Sequence, residues 1–123
     1  MGKTGRDKLK RILFVCSGNV HRSQTAQELL KDTEGLETRS AGILPLSPHV
    51  VSKELIEWAN IVFVMEEDHK DAIMQISPKA KNKIAVLGIP DRYLKNDPKL
   101  MEMLKDTLSP YFDECGTKSP RTC

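Results

Sequence analysis

The segment that most constrains this chain is Ile12-Leu13-Phe14-Val15, followed at once by Cys16-Ser17-Gly18-Asn19-Val20-His21-Arg22-Ser23 and then by helix formers from Gln24 to Lys31. Its order is strand, loop, helix. A loop that leaves a strand and runs directly into a helix N-terminus gathers backbone N–H groups around one point, which is the geometry of a phosphate cradle. Five residues between Cys16 and Arg22 let the loop curl so that its amides, the arginine fork and the sulfur all face one tetrahedral oxyanion. A bare Cys-x5-Arg spacing arises by chance in a chain with three Cys, so the strand–loop–helix setting is what gives it weight.

Each residue type in the loop has a physical use. The thiolate is the form that attacks phosphorus, and a helix N-terminus, amide donors and Arg22 would supply the positive potential that favours it. The planar guanidinium of Arg22 can grip two oxygens of a transferring phosphoryl group, which a lysine point charge cannot. Gly18 and Asn19 suit left-handed turns. Ser23, at the helix start, is placed either to cap the first turn or to donate a hydrogen bond to Cys16. The alternative is a buried structural cysteine.

"ILFVCSGNVHRSQTA" resembles the opening of the low-molecular-weight protein tyrosine phosphatases, and "RSAG", "ANIVFVMEEDHK" and "IPDRY" follow in that family's order. The similarity spans Arg11 to Phe112 and is closest to the short prokaryotic branch. It implies that Cys16 is the nucleophile, Arg22 the phosphate-binding arginine, and Ser17, Gly18, Asn19, Val20, His21 and Ser23 the rest of the phosphate loop. It also implies that Asp91 is the general acid and Tyr93 an aromatic wall of the pocket. His49 would join Ser40 and Asn19 behind the loop, although an exposed histidine fits equally well. Three departures stand out. Arg92 replaces the proline after the acid, Gln24 replaces the proline after Ser23, and His21 replaces a second cysteine that can protect the nucleophile as a disulfide. The stretch from Ile43 to Val50 looks shortened against longer members.

The implied activity is phosphomonoester hydrolysis without cofactor or metal. The substrate would be a phosphorylated protein or a small aryl phosphate, with inorganic phosphate and related oxyanions as product or inhibitors. Two other classes remain open. An arsenate reductase of similar fold would need Cys115 and Cys123 to relay oxidation, and a non-catalytic phosphate-binding module would need no acid. Asp91 after Pro90 also fits an ordinary turn residue.

A chain of 123 residues suffices for one compact domain. The expected organisation is a phosphatase-like domain over residues 11–112, a basic leader over 1–10 and a tail over 113–123. A net charge of +2, with lysines scattered along the chain, argues against a nucleic-acid or membrane partner. No apolar run approaches membrane-spanning length, and the basic start lacks a signal-like apolar stretch, so the expected location is the cytoplasm.

Periodicity predicts strands over residues 11–15, 36–40, 61–65 and 83–87, and helices over 23–31, 51–58, 67–76 and 98–107. Asp97 is expected as the cap of the last helix, with Pro98 at its first position. Alternating strands and helices imply an α/β fold, a four-stranded parallel sheet flanked by helices on both faces, with the phosphate-binding loop between the first strand and first helix. Cys16 and Asp91 both follow strand ends, where ligands bind in open α/β sheets. His69, beside Glu66, Glu67 and Asp68, reads as part of a solvated helix start, and Trp58, Phe63 and Met65 read as core.

Overall fold

A computed structural model describes residues 10–18, 22–30, 33, 35–90 and 95–112. Within them β1 (Lys10–Cys16), β2 (Leu36–Gly42), β3 (Ile61–Val64) and β4 (Ile84–Val86) form one sheet in the order β2-β1-β3-β4. All three strand pairings are parallel. The helices are α1 (Arg22–Leu30), α2 (Lys53–Trp58), α3 (Glu67–Ile76) and α4 (Pro98–Phe112), with a 3-10 segment over Pro78–Lys83 before β4.

Period-two alternation in the central strands sorts the core into two halves. From one face Ile12, Phe14, Cys16, Phe63 and Met65 pack with Ala26 of α1 and Leu100, Leu104 and Leu108 of α4. From the other, Leu13, Val15, Val62 and Val64 pack with Ile56 of α2 and Ile73 of α3. Phe14 and Phe63 stack with ring centroids 5.6 Å apart. Truncating either to alanine would cost about 3–5 kcal/mol, enough to threaten a domain of this size. Trp58 is half-buried at the margin of the second core, beneath the Arg39 guanidinium, 4.3 Å from its ring centroid.

The predicted elements are all present; the helix over 67–76 keeps its bounds, and the others shift at one or both ends. Helix α1 begins at Arg22, so Ser23 lies inside it and does not cap it. Helix α2 begins at Lys53 because the Ser52 hydroxyl accepts the Leu55 N–H, which leaves Val51 outside. Lys83 ends the 3-10 segment rather than opening β4, and its ammonium donates to the carbonyls of Ile56 and Ala59 near the end of α2. The Asp97 carboxylate accepts the Lys99 N–H, as expected of a cap. Helix α4 continues to Phe112 through Pro110, whose missing N–H removes one bond close to the helix end. Lys10, expected in a leader, pairs in β1 with Leu36.

This order sets the site. Strand β1 has β2 on one side and β3 on the other, so the connections leaving the carboxyl ends of β1 and β3 diverge and open a crevice between them. Cys16 is the last residue of β1.

Candidate active site

The end of β1 is held from both sides. The Cys16 carbonyl accepts the Ile43 N–H at 3.1 Å, extending the β1–β2 ladder by one rung just where the chain turns into the loop. The Cys16 side chain is 3% exposed, and its Sγ lies 3.0 Å from Ser23 Oγ on the first turn of α1. The hydroxyl therefore meets the sulfur, the second of the two roles open to it in the sequence.

Arg22 is 2% exposed, and a buried guanidinium is tolerated only with partners. Its Nη1 donates to the Ile89 carbonyl at 2.7 Å and lies 3.5 Å from Glu66 Oε1. One side chain thus joins α1 to the β3–α3 turn and to the chain leaving β4. That chain is bent by Gly88, whose φ of 74° a residue with a Cβ would adopt only under strain. Past the bend, the Ile89 N–H returns to the sheet by donating to the Met65 carbonyl at 2.9 Å.

Asp91 lies two residues beyond Ile89 in the sequence. Asp91 and Tyr93 fall outside the described residues, as do Asn19, Val20, His21, Cys115 and Cys123. Asn96, past Asp91 and Tyr93 in the sequence, also meets α1: its N–H donates to Thr25 Oγ1 at 2.8 Å, and Thr25 is buried. Ile89 and Asn96 are therefore each bonded to α1 by side chains one helical turn apart.

Ser17 is gripped at two atoms. Its carbonyl accepts the Leu44 N–H at 3.0 Å and the Ser47 hydroxyl at 3.3 Å, and its Oγ lies 3.0 Å from His69 Nε2. His69 is not part of a solvated helix start, as the run of acidic neighbours suggested. It is 1% exposed. As the third residue of α3 it turns back over the helix N-terminus, and its Nδ1 accepts the Glu66 N–H at 3.0 Å. Glu66 and His69 are the neighbours of Arg22 and Ser17 that sequence reasoning missed. The available signal was their position just beyond the carboxyl end of β3, at the lip of the crevice.

Ser40 and His49 are not joined. The Ser40 hydroxyl donates to Gln27 Oε1 at 2.7 Å, because α1 packs along β2 and brings Gln27 within reach; its amide also donates to the Thr38 carbonyl. His49 is exposed, and it lines a shallow hollow with Arg39, Ser40 and Leu55. No group of three or more His, Cys, Asp and Glu side chains capable of holding a metal ion occurs among the described residues. None of their helices is long and apolar enough to cross a membrane.

No family model matches the chain. It is 36% identical over 101 residues to a protein named Protein-arginine-phosphatase from Geobacillus stearothermophilus, covering 63% of this chain and 68% of that one. The alignment is longer than the share of this chain it spans, so that relative carries residues there that this chain lacks. It is also 34% identical over 116 residues to the Low molecular weight protein-tyrosine-phosphatase Ptp of Acinetobacter johnsonii, covering 70% of this chain and 82% of that one. Among solved structures, the YwlE arginine phosphatase from Geobacillus stearothermophilus superposes with a TM-score of 0.65 at 28% identity, over 85% of this chain and 93% of that one. Vibrio vulnificus Wzb in complex with benzylphosphonate shares the fold, with a TM-score of 0.66 at 22% identity over 84% of this chain and 97% of its own. Identity at that level over most of a relative's length, on a common fold, means that this chain belongs to the low-molecular-weight protein-tyrosine-phosphatase family, whose members are cysteine-dependent phosphatases.

Proposed function

We propose that this chain hydrolyses aryl phosphate monoesters, a tyrosine phosphate on a protein first among them, through a phosphocysteine at Cys16. The observation that carries this reading is the convergence of Cys16, Ser23 and the buried Arg22 at the crevice between β1 and β3. In the first step the Cys16 thiolate attacks phosphorus in line, the bond from phosphorus to the aryl oxygen breaks, and the carboxyl of Asp91 gives that oxygen its proton. In the second, water attacks the phosphocysteine, Asp91 takes a proton from the water, and the sulfur leaves as thiolate. The loop amides and Arg22 hold the equatorial oxygens as charge develops on them.

Substrate recognition begins with the phosphoryl group, so phosphate and other tetrahedral oxyanions compete for the cradle. An aryl leaving group is favoured because Tyr93 offers a stacking wall and a deep cradle disfavours short phosphoserine. A phosphoarginine substrate is the second reading, favoured by the Geobacillus stearothermophilus relative named for that activity. Rates on an aryl phosphate and on a phosphoarginine, measured side by side, separate the two.

The nucleophile is tested by Cys16→Ser, which is expected to abolish turnover while phosphate still binds, since a hydroxyl is a far poorer nucleophile at neutral pH. Parental turnover in that variant would overturn the assignment.

A further inference from the structure

The catalytic proposal uses Cys16, Arg22, Ser23 and Asp91 and leaves unexplained a fully buried histidine pressed against the start of the phosphate loop. A histidine at the third position of a helix ordinarily faces water. His69 is instead 1% exposed and spends both ring nitrogens on named groups: Nδ1 faces the Glu66 N–H at 3.0 Å and Nε2 faces Ser17 Oγ at 3.0 Å.

The first of these bonds decides the second. A backbone N–H only donates, so Nδ1 must be the unprotonated nitrogen, and the ring proton of the neutral imidazole sits on Nε2. The Nε2–H then donates to Ser17 Oγ. The Ser17 carbonyl is meanwhile held from the β2–α2 connection by the Leu44 N–H and the Ser47 hydroxyl. Ser17 is the residue immediately after Cys16, and its peptide opens the ring of amides around the oxyanion. We propose that His69 is a positioning residue that, fixed as the Nε2–H tautomer by the Glu66 amide, holds Ser17 and thereby sets the first turn of the phosphate loop. The inference rests on the reading of residues 16–22 as a catalytic cradle.

Glu66 makes this arrangement a junction and not an isolated pair. Its N–H fixes His69, while its carboxylate lies 3.5 Å from Arg22 Nη1 and 3.9 Å from His69 Nε2. The β3–α3 turn thus contacts the loop at its first residue and its last. Neither His69 nor Glu66 is asked to touch the phosphoryl group; both act through residues that do.

The two arms of His69 can be separated chemically. An asparagine oxygen lies as many bonds from the backbone as Nδ1 and can still accept the Glu66 N–H, but it falls short of Ser17. A glutamine amide nitrogen matches Nε2 and can still donate to Ser17, and once it does so its oxygen, one bond farther out than Nδ1, meets the Glu66 N–H less well. His69→Asn and Ser17→Ala are each expected to lower kcat on an aryl phosphate by about 10-fold to 100-fold, the penalty of a slightly misplaced reacting group, and to weaken inhibition by inorganic phosphate. The double variant is expected to lose no more than the worse single one. His69→Gln is expected to recover most of kcat, with a thermal midpoint lowered by no more than about 3 °C for the weakened cap. A role in stability alone would reverse this pattern. The proposal is overturned if folded Ser17→Ala keeps parental kcat and phosphate inhibition, or if the losses of Ser17→Ala and His69→Asn multiply in the double variant. If the parent itself neither turns over aryl phosphate nor binds inorganic phosphate, the cradle reading fails; neutral variants of an active parent remove His69 alone.

Discussion

The two rims of the crevice are built differently. On the α1 side buried side chains hold the residues that flank 91–94 in the sequence, Arg22 bonding the Ile89 carbonyl and Thr25 the Asn96 N–H. On the other side the β2–α2 connection packs Ile43 and Val51 against the core at its ends, while between them it is held to the loop through its backbone and Ser47 and leaves apolar side chains in the open: Leu46 is 96% exposed, and Leu44 and Val50 are about half exposed. Buried polar contacts fix geometry because leaving one unpaired is costly, whereas an exposed apolar side chain constrains nothing until something lands on it. The first rim is suited to chemistry, which tolerates little misplacement. The second leaves apolar side chains in the open that an incoming substrate would cover.

If that contrast is right, damage to the tied rim should fall on the chemical step. Asp91→Asn is expected to slow hydrolysis of esters with poor leaving groups by about 10²–10⁴-fold, and of activated aryl phosphates much less. An equal loss on both would make Asp91 structural and break the comparison at its centre. Arg22→Lys is expected to cost about 10²–10³-fold in kcat, since one ammonium cannot replace both the proposed grip on phosphate and the tether to Ile89. Steady-state rates across a pH range would show whether the loss persists at every pH, as it should.

Smaller effects sharpen the contrast. Thr25→Val keeps the shape and removes the hydroxyl, leaving the Asn96 N–H without its partner. It should cost about 1–2 kcal/mol in urea unfolding and about 10-fold in kcat on poor leaving groups, by loosening one end of the acid segment. If stability falls and the leaving-group dependence does not change, the tie is for folding alone. Leu46→Ser, on the open rim, should leave stability within about 0.5 kcal/mol and raise KM for an aryl substrate by about 3-fold to 10-fold with kcat unchanged. A fall in kcat there would erase the distinction between the rims.

Much of this was legible in the sequence for local reasons. An aliphatic run, a glycine-bearing loop and helix formers specify β1, the turn and α1 without help from elsewhere. The Cys16-to-Ser23 spacing brings the hydroxyl back over the sulfur after one loop and the start of a helix, so that contact too is encoded within eight residues. Asp97 as a cap is equally local. Element ends were less legible, because Ser52 and Lys83 decide them through hydrogen bonds that depend on which neighbours the fold supplies.

Local pattern misled where a side chain served a distant partner. Glu66, Glu67, Asp68 and His69 look like a wet helix start, yet the parallel β1–β3 pairing sets that turn beside Ser17, 52 positions from His69 in sequence. Ser40 found Gln27 instead of His49 because α1 covers that side of β2. The sequence by itself determined the alternating elements, the cysteine loop and its place at the end of a strand, since each depends on residues adjacent in the chain. Only the tertiary structure decided that His69 meets Ser17, what shares Arg22 and which side chains hold Ile89 and Asn96. Those are set by strand order, which brings the ends of β1, β3 and β4 together through hydrogen bonds that no local spacing encodes.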